Sequence, residues 1–70
     1  SNIHVVLAGE GWAVEAAGSG HRTLYATQDE AIEAGTARAQ HDNVELLIHG
    51  RDGQVRARSS FEHDPRRYVG

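Results

Sequence analysis

Apolar residues in this chain come in short runs separated by glycine pairs, and only one stretch carries a helical period. Residues 3–8 (IHVVLA) form a compact apolar run with β-branched side chains, which predicts a strand. Gly9-Glu10-Gly11 comes next as a tight turn, and residues 12–16 (WAVEA) alternate, with Trp12, Val14 and Ala16 on one side. Together these two runs predict a hairpin. Gly18-Ser19-Gly20 is the next turn, and residues 21–26 (HRTLYA) read as a third strand.

The period then changes. Thr27-Gln28-Asp29-Glu30 spells a capping box, in which the threonine oxygen accepts from the Glu30 amide and the Glu30 side chain reaches back. Asp29 and Glu30 also suit the positive end of a helix dipole. The helix is expected to run to Gln40 or His41 and to end at Asp42-Asn43, with Ala31, Ile32, Gly35 and Ala39 facing inward. That stripe is small. Gly35 costs ~1 kcal/mol relative to alanine in mid-helix, so a close approach of helix to sheet is expected there.

Residues 44–49 (VELLIH) predict a fourth strand and Gly50-Arg51-Asp52-Gly53 a hairpin turn with Gly53 left-handed. Residues 54–61 (QVRARSSF) predict a fifth strand. The chain then ends in a polar tail, with Asp64-Pro65 starting a turn and Tyr68-Val69 as an apolar anchor. The predicted fold is α+β: a mainly antiparallel four- or five-stranded sheet with one helix on one face, in the order β-β-β-α-β-β. One domain spans residues 1–62, and residues 63–70 form a C-terminal tail. The helical connection is also long enough to join parallel neighbours.

Two of the runs break the alternation of a sheet with one wet face. Val5-Val6-Leu7 and Leu46-Leu47-Ile48 are apolar on successive residues, hence on both faces. A single helix covers one face. The other needs cover from the tail, through Phe61, Tyr68 and Val69, or from a second copy of the chain. On this ground a homodimer is expected, with Val6, Leu47, Phe61 and Tyr68 as candidate contact residues.

Length and composition narrow the classes. Seventy residues make one domain, and a chain this short buries only ~60% of its unfolded surface. Without cysteine there is no disulfide to stiffen it, which fits a reducing compartment. No run approaches ~18 apolar residues, and the N-terminus lacks a basic segment leading into an apolar one, so a cytoplasmic location away from membranes is expected. Ser1 and Asn2 read as a tag remnant and are set aside. The net charge of −3 weighs against a general nucleic-acid binder.

Candidate chemistry is sparse. His4, His21, His41, His49 and His63 are scattered, with no pair at the helix spacing of a zinc site. His4 and His49 lie on runs that a sheet can bring side by side, and a metal there would need His63 or Asp64 as a third ligand. Ordinary polar histidines near strand ends explain the same residues, and no metal or other cofactor is assigned. Ser59 and Ser60 precede His63 and Asp64, but nothing supplies the rigid turn and oxyanion hole of a nucleophilic serine. The two Gly-x-Gly turns lead into strands, not into a helix N-terminus that would hold a phosphate. No enzyme is expected.

The arginines carry the strongest signal. Every positive charge is an arginine, which fits either a GC-rich genome or a need for planar bidentate contacts. Arg51, Arg56, Arg58, Arg66 and Arg67 fall in the last third of the chain, and a regular strand would point Arg56 and Arg58 the same way. Such a strip can follow phosphates or an acidic partner. It can equally guard an edge strand against aggregation.

The same residues also form a pattern. His4-Val5-Val6, Gly11-Trp12-Ala13-Val14, Thr27-Gln28-x-x-Ala31-Ile32-x-Ala34, Ile48-His49-Gly50-Arg51-Asp52-Gly53 and Arg56-x-Arg58-x-Ser60-Phe61-x-x-Asp64-Pro65 succeed one another over nearly the whole chain. In that order they resemble the short bacterial proteins grouped as domain of unknown function 2188. Strand one of that family often ends in proline where this chain has Leu7 or Ala8. The resemblance implies a small bacterial α+β domain and no assigned activity. The expected role is a non-enzymatic, self-associating binding or assembly module. A nucleic-acid-binding accessory protein using the arginine strip, and a small metal-binding protein, are the alternatives.

Overall fold

The computed structural model describes residues 2–61. Five strands and one helix keep the predicted order: β1 (Ile3–Ala8), β2 (Gly11–Ala16), β3 (Arg22–Tyr25), α1 (Gln28–Asp42), β4 (Glu45–His49) and β5 (Val55–Ser60). They form one mixed sheet in the order β3-β2-β1-β4-β5. Neighbours pair antiparallel except β1 and β4, which run parallel with Ile3 beside Leu46 and Val5 beside Ile48. The two runs that are apolar on both faces therefore lie inside the sheet, with β1 in the middle and β4 between β1 and β5.

Local chemistry sets the helix ends. Thr27 Oγ1 accepts from the Glu30 amide at 3.1 Å, and Glu30 Oε1 accepts from the Thr27 amide at 3.1 Å, closing the capping box. At the far end Asn43 takes the left-handed conformation (φ 56°), and its amide donates to the carbonyls of Ala39 and Gln40. At the same end Asp42 is held below the ordinary carboxylate range, first by the hydrogen bond from His41 and then by Arg38, whose Nε stands 2.7 Å from it.

The core lies between α1 and one sheet face. Ile3, Val5, Trp12 and Leu46 are buried against Ala31 and Ala39, with Leu7, Val14, Tyr25, Ile32 and Ile48 packed around them. Gly35 sits where the helix comes closest. A methyl group placed there would stand 3.0 Å from Val5 Cγ2 and 3.1 Å from Leu46 Cδ1. Two terms compete in Gly35→Ala: helix propensity gains ~1 kcal/mol, while tight methyl contacts in a packed core oppose it. A net loss under ~1 kcal/mol is expected for alanine, and about 2–3 kcal/mol for Gly35→Leu, which has nowhere to go. Urea unfolding of both variants checks this; a leucine as stable as glycine would disprove the close approach.

Two expectations change. Asn2, set aside on sequence grounds, joins the structure: its side-chain oxygen accepts from the Glu45 amide at 3.2 Å, and its carbonyl accepts from the Ala17 amide at 3.0 Å. Phe61, expected on the uncovered face, turns instead to the core. β5 ends at Ser60, the Phe61 amide donates to the Val44 carbonyl at 3.2 Å, and the ring packs on the helix side with the buried cluster. Alternation explains it, because Ser59 is paired with the core residue Leu46 and residue 61 shares its side.

Candidate functional site

The sheet has a second face, away from the helix, and the pairing register fixes what lies on it. Side chains alternate along a strand and paired residues share a side. Ile3 and Val5 face the core, so His4 and Val6 face away; Leu46 faces the core, so Glu45, Leu47 and His49 face away. Across the sheet, Leu24 pairs with Ala13, Ala13 pairs with Val6, and Val55 pairs with His49. An apolar band thus runs across this face from Leu24 to Val6 and resumes at Val55, with His49 on β4 between them. Leu24 is 66% exposed and Val55 42%, the two large apolar side chains most open to solvent among the described residues, and they mark the band's two ends. Ala13 and Leu47 are buried between them and Val6 is half-buried.

Charge frames the band in matched pairs. Arg22 Nη2 lies 2.9 Å from Glu15 Oε2 on the β2–β3 side, and Arg58 Nη1 lies 3.9 Å from Glu45 Oε2 on the β4–β5 side. The arginines are half-exposed or more and the glutamates less so, and such surface pairs add little stability. Their effect is to leave each flank close to neutral.

The histidines meet on this face. His4 Nδ1 stands 2.9 Å from His49 Nε2, with ring centroids 5.2 Å apart, and His49 Nδ1 stands 2.9 Å from the Gly53 carbonyl oxygen. Parallel pairing of β1 with β4 brings the two rings together.

The arginines do not form one strip. The register slips between Ile48 and His49: Ile48 pairs with Ala57 and His49 with Val55, leaving Arg56 as the extra residue of a bulge. Arg58 stays across from Leu47 on the open face. Arg56 instead packs on Gly50, pairs with Asp52, and enters a cleft of about 530 Å³ at the end of the sheet. The regular strand assumed for Arg56 and Arg58 is what fails, since one inserted residue re-aims a side chain. Arg51 also lines that cleft, 5.8 Å over the Trp12 ring. Glu10, Thr27 and Asp29 line the same cleft. Its acids offset its two arginines, and Thr27 with Glu30 already satisfies the helix start, so the cleft does not select anions. Arg66, Arg67, His63, Asp64 and Tyr68 lie outside the described residues.

Among the described residues no three histidine, aspartate or glutamate side chains stand close enough to hold a metal ion. No helix among them is long and apolar enough to cross a membrane. Sequence reasoning placed His4 and His49 on adjoinable strands but missed the Gly53 carbonyl behind His49. It also missed the exposed Leu24. A leucine flanked by Thr23 and Tyr25 in an alternating run was the available signal, because its neighbours occupy the other face.

Neither the curated proteins nor the solved structures contain a match to this chain. The family profile described as "uncharacterized protein conserved in bacteria (DUF2188)" matches residues 3–61, from the first residue of β1 to the ring that closes the core. The matched stretch holds all five strands and the helix, so the chain belongs to the DUF2188 family of uncharacterized proteins conserved in bacteria.

Proposed function

We propose that this protein is a non-enzymatic binding or assembly module that self-associates through the sheet face opposite its helix. One observation carries the reading: the apolar band from Leu24 through Ala13 and Val6, resuming past His49 at Val55, ends in the two most exposed large apolar side chains among the described residues. Such apolar surface costs free energy in water and gains it back when covered, at ~25 cal/mol per Å². The chemistry of the rim favours a second copy as the cover. Each flank carries an arginine opposite a glutamate, so two copies meeting face to face bring together no net charge. The contact would be a pair of stacked sheets related by a two-fold axis. A cytoplasmic setting suits a cysteine-free chain of this kind.

The nucleic-acid reading draws less support, because Arg58 and Arg56 serve different surfaces and each stands by a carboxylate. Sedimentation equilibrium from ten to several hundred micromolar tests the self-association. The wild-type chain is expected to pass from monomer to dimer across this range. Leu24→Glu, which puts a charge at one end of the band, should weaken the dimer at least tenfold while leaving the helical circular dichroism unchanged. A chain that remains monomeric throughout rejects the proposal.

A further inference from the structure

The histidine pair on the open face is arranged more tightly than two polar rings in a sheet require. A carbonyl oxygen can only accept, so the Gly53 carbonyl fixes the hydrogen of neutral His49 on Nδ1 and leaves a lone pair at Nε2. The hydrogen between the rings then belongs to His4 Nδ1. Two ring nitrogens face one point, one of them pre-aimed by a backbone acceptor in the turn.

We propose that a divalent transition-metal ion of the zinc class takes the place of that hydrogen, held by His4 Nδ1 and His49 Nε2 from each of two copies of the chain. The inference rests on the reading of this face as the self-association surface. Neutral imidazole suits zinc, nickel and copper. A metal-bound imidazole almost always donates its other N–H to a carboxylate or a backbone carbonyl, which keeps the ring aimed. His49 has that support in place, and its acceptor sits at the end of the β4–β5 turn where Gly53 is locked at φ 84°.

Spacing and ligand number fit as well. Zinc–nitrogen bonds of ~2.0–2.1 Å at a tetrahedral angle set two ligand atoms about 3.4 Å apart. The rings need to part by about 0.5 Å from their hydrogen-bonded distance, and each must turn by roughly 35° so that both lone pairs meet at the ion beside the line joining them. A structural zinc takes four ligands, and among the described residues no third ligand joins the pair. A two-fold axis passing over the pair brings its own copy opposite, giving four imidazoles from two chains. His4 and His49 sit on β1 and β4, near the middle of the sheet, so such an axis stacks the open faces with wide overlap. No electron moves in the binding step. Four nitrogen lone pairs coordinate the ion, and each His4 passes its Nδ1 hydrogen to solvent and takes one up on Nε2, with no net proton released.

The test uses untagged full-length protein. Zinc chloride is titrated in calorimetry, mass is followed by sedimentation with and without a chelator, and cobalt(II) replaces zinc for visible absorbance. Zinc is expected to bind at one ion per two chains, to tighten the dimer at least tenfold, and to be matched by the intense visible bands of tetrahedral cobalt. His49→Ala and His4→Gln should each abolish the zinc response; two variants are used because His49 also ties down its turn. Zinc bound at one ion per chain without a change in mass overturns the site, as does a response that survives in both variants. Dimers that form equally well with chelator and with zinc remove the metal and leave self-association standing. Dimers that form only with zinc keep the metal and remove the apolar band as the driving force. A chain monomeric under every condition removes both.

Discussion

Trp12→Ala is expected to lose about 3–5 kcal/mol, most of the stability this domain has. A chain of this size holds roughly 4–10 kcal/mol in all. Trp12 is 5% exposed and belongs to the buried cluster with Ile3, Val5 and Leu46. It pairs with Leu7 on one side and Tyr25 on the other, so it ties the central strand to the edge strand β3. No other side chain of the fully buried cluster approaches its volume, and the small residues Ala31 and Ala39 opposite cannot move in to fill the space. Arg51 loses its aromatic platform in the same change. Thermal unfolding followed by circular dichroism should show the midpoint falling by about 15 °C or more. Trp12→Phe, which keeps an aromatic ring, should recover more than half of the loss. A Trp12→Ala protein melting within a few degrees of wild type would mean that the core is not organised around this ring.

The second large effect is expected at Gly11. A methyl group there would stand 2.5 Å from the Tyr25 carbonyl oxygen, closer than non-bonded atoms are found. The neighbour is backbone, so no rotamer change relieves it. Either β2 and β3 part at this end or the sheet bends. Gly11→Ala is therefore expected to cost about 2–3 kcal/mol. The damage should be local, because β3 has only four residues and a single partner strand. Amide exchange should show lost protection over Arg22–Tyr25 while β1 and β4 stay protected. Gly9→Ala is the comparison. It has open space around it and suffers only from its φ of 58°, so a cost of about 1–2 kcal/mol without selective loss of β3 is expected. Equal protection across the sheet in Gly11→Ala would contradict the close approach.

Local signals were legible in the sequence and long-range ones were not. The capping box at Thr27, the small inward stripe and the glycine turns each act through neighbours in the chain, and each appears in the structure where the residues placed it. The Gly35 contact was also readable, since a glycine that weakens a helix needs a packing reason. Runs apolar on successive residues were readable at β1 and β4, but that both strands lie inside the sheet, with neighbours on both sides, came only with the pairing. Their parallel pairing depends on how the helical connection returns, and a strand's own residues do not encode that. The bulge at Arg56 shows how little it takes to defeat a periodic reading, because one unpaired residue sends two arginines to different surfaces. The histidine pair is the product of both limits: each ring sits on a recognisable strand, while their meeting needs the register of β1 against β4.

The proposed role depends on what covers the apolar band. The most direct measurement mixes isotope-labelled and unlabelled chains and records nuclear Overhauser contacts between copies. Cross-copy contacts are expected from the methyl groups of Val6, Leu24, Leu47 and Val55, and none from Ile32 or Ala34 on the helix. Contacts that arise from the helix, with the band still open to solvent, would contradict the account.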